Sequence, residues 1–322
     1  MKTKLIITLG PATFKEKRIK DLEKQGVSIF RLKSSYYSSK EFEKDISRIR
    51  KLTKVPLMID LEGPELRLRC KKSYDFKKGQ TFSMGFSEKD NISFNHDFYE
   101  SVTMKHNFIF DKGKGHLRIL EKKNRKFLVK TDSTITIKDG KGVNLKEKSL
   151  ETSSLSDKDK ELLEIINKKK IKYVAYSYVR RKEDLDNLKL HLNKKTKIFS
   201  KVENRQALKN LTDIIKNSDG VIVARGDLAV ETSLEKIPIL QKMIISEANK
   251  LKKPVAVATE LISSMVENKT PLRSEVDDIE NCIFEGADML LIADPTAVGK
   301  YPILTVKTLN RIIKTAEKYK GK

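Results

Sequence analysis

The 322-residue sequence predicts an α/β protein of the (β/α)8 TIM-barrel class with an inserted β-rich domain. Three observations carry this. Eight short apolar runs are each followed by a helical pattern. The runs lack polar alternation, as strands covered on both faces do. One stretch of β-type alternation without helical periodicity interrupts the third repeat. A doubly wound open sheet is the structural alternative; the count of eight favours closure.

The first strand is Leu5 to Leu9, ending at Gly10-Pro11. Thr13-x-x-Glu16 has the form of a capping box for a helix to about Gln25, which Gly26 stops. Ser28 to Leu32 is the second strand, and Ser38-x-x-Glu41 caps a helix to about Leu52. Pro56 to Asp60 is the third. From about residue 68 to 152 come short alternating stretches: Thr81 to Met84, Phe108 to Phe110, Leu117 to Leu120, Phe127 to Val129 and Thr134 to Ile137. Gly, Asp, Asn and Lys separate them, as in a β-rich insert. Ser156-x-x-Asp159 restarts the helices, to about Asn167. Strands then follow at Tyr173–Tyr178, Lys197–Val202, Gly220–Ala224, Pro254–Thr259 and Met289–Ala293. The helices between and after them fall near 184–192, 206–216, 234–251, 261–266, 274–284 and 301–319. The expected domains are therefore a barrel of residues 1–67 and 153–322 and an inserted lid of residues 68–152.

Composition excludes several classes. No window of eighteen apolar residues marks a membrane span, and the N-terminus lacks the pattern of a secretory signal. Cys70 and Cys282 make no disulfide framework, and no Cys/His spacing suits zinc, so a cytoplasmic location is expected. The net charge is +23, from 67 basic and 44 acidic residues. Lysines supply 53 of the 67, spread among Glu and Asp along the chain, which suits solvated faces better than a nucleic-acid partner.

The strand ends carry the chemistry. Arg31, Lys33 and Ser35 follow strand two; Asp60 closes strand three; Ser177 lies on strand four; Lys201 and Glu203 lie on strand five; Arg225, Gly226 and Asp227 follow strand six; Thr259 ends strand seven. Barrel enzymes keep their catalytic groups on this rim. Glu203 and Asp227 are a carboxylate pair suited to Mg²⁺. Lys201 shares a barrel layer with Glu203 by period-two alternation. An ammonium beside a metal suits a transferring phosphoryl group or an enolate. Gly226 permits close backbone approach, and Arg31 and Arg67 could clamp phosphates. There is no G-x-x-x-x-G-K-[ST] loop and no G-x-G-x-x-G turn. His96, His106, His116 and His191 lie away from the rim, which leaves histidine catalysis little support.

These residues resemble the pyruvate kinase family. Thr3 to Ala12 resembles its T-K-I-x-x-T-I-G-P-A start, Lys201-Val202-Glu203-Asn204 its K-I/V-E-N strand, and Asp219 to Glu231 its D-G-I-M-V-A-R-G-D-L-G-V-E. Lys253 to Thr259, Gly299 to Pro302 and, in the insert, Lys141 to Leu145 resemble G-K-P-V-I-x-A-T, G-x-Y-P and K-G-V-N-L. The resemblance implies phosphoryl transfer from phosphoenolpyruvate to ADP, giving pyruvate and ATP. It implies Lys201, Arg31 and Thr259 as catalytic residues. Gly226, Asp227, Thr259 and Ser177 would bind substrate, Arg67 and Lys141 the nucleotide, and Glu203 and Asp227 Mg²⁺ or Mn²⁺. The insert would be a small β-barrel lid domain that closes over the site.

Departures sit beside these matches. The family's R-x-N-F-S reads Arg31-Leu32-Lys33-Ser34-Ser35, so Lys33 stands where the resemblance implies an Asn ligand of K⁺. Lys33 is expected to replace potassium beside Asp60 and Ser35, making K⁺ unnecessary. L-S-G-E-T-A reads Ile292 to Ala297 with Asp294-Pro295, and Lys112 follows Asp111 where the lid usually has a second Asp. The family's C-terminal effector domain has no counterpart in the sequence, so a monomer or homodimer is expected. Two other readings compete: a Mg²⁺-dependent pyruvate-enolate lyase or aldolase, and a non-catalytic regulatory or binding derivative.

Overall fold

The structure is a computed structural model that describes residues 2–36, 38–111, 113, 115–145 and 153–320. Lys112 and the proposed insert boundary at residue 152 lie outside them. The barrel strands are β1 (Lys4–Thr8), β2 (Ile29–Lys33), β3 (Leu57–Leu61), β4 (Tyr173–Tyr176), β5 (Lys197–Val202), β6 (Gly220–Ala224), β7 (Val255–Ala258) and β8 (Met289–Ile292). All pair in parallel with their sequence neighbours, and β1 closes on β8 with Leu5 opposite Leu290. The helices are α1 (Glu16–Lys24), α2 (Ser39–Leu52), α3 (Asp157–Lys168), α4 (Lys182–Leu190), α5 (Arg205–Lys209), α6 (Leu211–Asn217), α7 (Arg225–Glu231), α8 (Ile237–Lys250), α9 (Arg273–Glu285), α10 (Asp294–Ala297) and α11 (Pro302–Lys320).

The expected capping boxes form at Ser38/Glu41 and at Ser156/Asp159. The one expected at Thr13 does not. Thr13 Oγ1 accepts from Gly10 N at 3.0 Å, so the hydroxyl closes the turn after β1, and α1 begins at Glu16 without a side-chain cap. Two further expectations change. Residues 261–266 hold a short 3₁₀ turn, Ser263–Val266, preceded by left-handed Thr259, Glu260 and Ile262, which no α-helix accommodates. The helix expected over 206–216 is split into α5 and α6 at Asn210.

Outward-facing strand residues such as Ile7, Ile59, Val174, Val223, Val257 and Leu290 pack against buried helix residues such as Leu22, Ile46, Leu162 and Ile244 in one apolar shell. Inside the barrel, Ile6, Ile29, Met58, Ala175, Phe199, Ile222, Ala256 and Met289 form a separate apolar plug. Phe199 fits because Gly220 opposite has no Cβ, which would fall 2.4 Å from the ring. Adding two residues to each plug position gives the next layer up the barrel. On β1 to β5 that layer reads Thr8, Arg31, Asp60, Ser177 and Lys201. On β6 to β8 it reads Ala224, Ala258 and Leu291. Sequence alternation thus places a half-ring of polar groups on an apolar floor.

The insert folds into a seven-stranded sheet, running from Val143–Leu145 through Asn107–Phe110, Gly115–Lys123, Lys126–Thr131, Thr81–Gly85 and Ile92–Phe94 to Leu68–Cys70. The outer strands nearly close it, since Leu68 N donates to Lys141 O at 2.8 Å and Val143 N to Leu66 O at 2.9 Å. A second pair, Ile135–Ile137 with Tyr74–Phe76, flanks it. Phe82, Phe94, Phe98, Phe108 and Phe127 belong to its own core, distinct from those of the barrel.

Asp159 in the first turn of α3 ties the insert's departure to its return. Its carboxylate accepts from Glu62 N (3.2 Å) and Gly63 N (3.1 Å) beyond β3, and from Ser156 N (3.3 Å) at the helix cap. Burial raises its pKa from 3.8 to about 6, against the Ser156 hydrogen bonds. The folded protein therefore holds a proton that the unfolded chain releases between these values, and stability from this group falls as pH rises through that window. Relative to Asp159→Asn, the native protein should lose about 2 kcal/mol between pH 4 and pH 7. Urea midpoints of both proteins at the two pH values check this; a pH-independent difference contradicts it.

Candidate active site

Asp60 is the centre of the polar half-ring. Its Oδ2 accepts from Arg31 Nε at 2.6 Å and its Oδ1 from Ser177 Oγ at 3.0 Å, with Lys201 Nζ at 3.5 Å. Arg31 also donates to Thr8 Oγ1 at 2.8 Å. Burial alone would raise the Asp60 carboxyl, but Arg31, Lys201 and Lys33 outweigh it and hold the group well below the usual range.

Lys201 joins this anion to a second one. Its Nζ donates to Ser177 Oγ at 2.8 Å and lies 2.8 Å from Glu203 Oε1. Burial opposes its charge, yet Asp60 and Glu203 raise its pKa above the ordinary value. Lys201 is thus a fixed, desolvated cation at the barrel mouth.

Beyond it the charge reverses. Glu203, at the end of β5, is fully buried. Its Oε2 accepts from Tyr178 N at 2.6 Å, while Oε1 forms the 2.8 Å ion pair with Lys201. Asp227, in the first turn of α7, accepts from the Tyr178 hydroxyl at 3.1 Å. Burial raises the pKa of Glu65, Glu203 and Glu231, and the Asp227 charge adds to each. Among the described residues no three His, Cys, Asp or Glu side chains form a ready-made metal cage. Mg²⁺, however, is commonly held by one or two carboxylates together with substrate phosphates. Two hard-oxygen carboxylates, one of them with its pKa raised by burial and by the charge of the other, fit such an ion.

Thr259 has φ +76°, a costly backbone for a β-branched residue. Arg225 holds it, donating from Nε (3.0 Å) and Nη2 (2.6 Å) to the Thr259 carbonyl and from Nη1 to Asp278 Oδ1 (2.8 Å). Gly226 is required here: a Cβ would fall 2.8 Å from Thr259 Cγ2.

The other expected residues occupy the rim less directly. Arg67 is buried, pairs with Glu65, and donates from Nη1 to Gly140 O at 2.6 Å. Lys141 Nζ donates to Asp111 Oδ2 at 2.8 Å. Arg67 forms a backbone bridge with Gly142, which joins the Arg67 and Lys141 segments at the base of the insert. Lys33 is opposite Asp60 in the strand register, and its charge acts on Asp60 and Glu65. After β2 it is the Ser34 hydroxyl that reaches Asp60, donating to its carbonyl at 2.7 Å; Ser35 Oγ is buried without a hydrogen-bond partner. Residues given no role from the sequence also belong to the site: Thr8, Glu65, Asn144, Tyr178 and Glu231. Thr8 was available from strand alternation, and Glu65 from the acidic run after β3; Tyr178 gave no signal beyond following Ser177.

A family model described as pyruvate kinase, barrel domain, matches residues 1–306. The chain belongs to the pyruvate kinase family. It is 36% identical to the pyruvate kinase of Thermotoga maritima over 333 residues, which covers 98% of this chain and 71% of that protein. It is 34% identical to that of Borreliella burgdorferi, covering 99% and 69%, and 33% identical to that of Clostridium perfringens, covering 98% and 70%. The closed barrel and the quoted motifs are therefore features of one family fold. No helix among the described residues is long and apolar enough to cross a membrane.

Removing the carboxylate at the centre of the half-ring isolates its contribution. Asp60→Ala leaves Arg31 and Lys201 without their shared buried anion and should cost about 3–5 kcal/mol of stability. Chemical denaturation checks this, and a loss below about 1 kcal/mol would show a well-solvated pair instead.

Proposed function

We propose that this protein transfers the phosphoryl group of phosphoenolpyruvate to ADP, with Mg²⁺ or Mn²⁺, yielding pyruvate and ATP. The observation that carries this is Lys201: a largely buried ammonium held between Asp60 and Glu203, with the charge of a third carboxylate, Asp227, acting on Glu203. Lys201 would face the phosphoryl group in transit and the enolate it leaves, where a preorganised cation lowers the barrier most. Arg31, fixed by Asp60 and Thr8, would bind the phosphoryl oxygens. The Gly226 and Asp227 amides, with Thr259, would hold the substrate carboxylate, and Ser177 would keep Lys201 in place. Glu203 and Asp227 would hold the divalent ion, which would neutralise charge on the phosphoryl and enolate oxygens. Arg67 and Lys141 would meet the nucleotide phosphates, with the insert as a lid that excludes water. The presence of Arg67 and Lys141 at the base of the insert favours this reading over a lyase, which needs no nucleotide clamp.

Lys33 supports a modification of the family chemistry. Its charge falls on Asp60 and Glu65, where it would replace a monovalent cation with a tethered ammonium.

Two measurements test these assignments. With phosphoenolpyruvate, Mg²⁺ and a panel of nucleoside diphosphates, pyruvate should form only when a nucleotide is present, and Lys201→Ala should cut turnover about 100- to 1,000-fold. Ligand-induced thermal stabilisation without turnover would point to a binding protein instead. At constant ionic strength the rate should be flat against KCl concentration; steep potassium activation would sink the role given to Lys33.

A further inference from the structure

Tyr178 lies just beyond β4 in the left-handed region, with φ +54°. An aromatic residue adopts this backbone at a cost, so something must hold it there. Two bonds do. The backbone N–H donates to Glu203 Oε2 at 2.6 Å, and the hydroxyl donates to Asp227 Oδ1 at 3.1 Å. The bend lets one residue reach carboxylates that arrive from two different strands, Glu203 after β5 and Asp227 after β6. The phenol oxygen also accepts from Asn144 Nδ2 at 3.3 Å. Asn144 belongs to the insert strand Val143–Leu145, and its amide also donates to Glu231 Oε1 at 3.1 Å. A phenylalanine would fill the same volume, so the hydroxyl is there for its hydrogen bonds.

We propose that Tyr178 is a positioning residue that sets the spacing and aim of Glu203 and Asp227 and fastens the insert to the barrel rim, so that divalent-ion affinity depends on the seating of the insert. This rests on the reading of those two carboxylates as the ion's ligands. The phenol lies one bond behind that site. Asn144, which contacts Tyr178 and Glu231, carries the position of the insert to the phenol. Groups in this relation to metal ligands typically change affinity by about 10- to 100-fold when removed.

The experiment is titration of the full chain with Mn²⁺ alone, following free Mn²⁺ by electron paramagnetic resonance, together with hydrogen exchange of the insert. Native protein that binds no Mn²⁺ would overturn the ion-site reading, and this inference with it. If the native protein binds, Tyr178→Phe should bind Mn²⁺ about 10-fold more weakly with its thermal midpoint little changed. Equal or tighter binding overturns the role of Tyr178 while leaving the ion site intact. Asn144→Ala touches neither carboxylate; it should weaken Mn²⁺ binding several-fold and speed exchange in Asn107–Phe110, the strand paired with Val143–Leu145. Unchanged affinity in that variant overturns the coupling to the insert.

Discussion

The buried Asp60 carboxylate is the constraint on which the rest of the site depends. It draws Arg31 from β2, Ser177 from beyond β4 and Lys201 from β5 to one point above the apolar plug. An isolated ion pair in such a place would gain little, because desolvation cancels the attraction. Here one anion is shared by several donors, and each donor has a further partner: Thr8 for Arg31, and Glu203 for Lys201. The result is a rigid set of positive charges whose positions are fixed before any ligand arrives. That is the preorganisation electrostatic catalysis needs.

The opposite side of the mouth is built on the reverse principle. The Asp227 charge acts on Glu65, Glu203 and Glu231, and although Arg67 and Lys201 pair with two of these, burial still raises the proton affinity of all three. Buried carboxylates of this kind are costly to ionise, and a further positive charge entering among them would offset that cost. On the proposed reading the two sides take different guests, an anion beside Arg31 and Lys201 and a cation beside Glu203 and Asp227. A metal-bound phosphate has both.

Much of this was legible in the sequence, for local reasons. Strand alternation alone puts Arg31, Asp60 and Lys201 two residues above Ile29, Met58 and Phe199, so one layer could be read from the other. The Ser38 and Ser156 caps follow from spacing within one turn. The reading failed where a residue had a choice of partners. Thr13 has the right spacing to cap α1, but its hydroxyl is used by the preceding turn. Tyr178 and Asn144 are separated by 34 positions and meet only because the insert folds back onto the rim. The left-handed stretch at Thr259 to Ile262 was illegible for a related reason: the Arg225 side chain that holds it comes from another strand end.

The double tether at Asp159 has a consequence for the barrel as a folding unit. The chain leaves the barrel at Glu62 and returns at Ser156, and Asp159 holds both points. Topologically the barrel contains a short closed loop there, however many residues lie outside it. Loop-closure entropy grows only with the logarithm of length, so a long excursion between tethered ends adds little to the cost of closing β3 onto β4. The insert, with its own phenylalanine core, is free to change in size and sequence without altering the register of the eight strands beneath it.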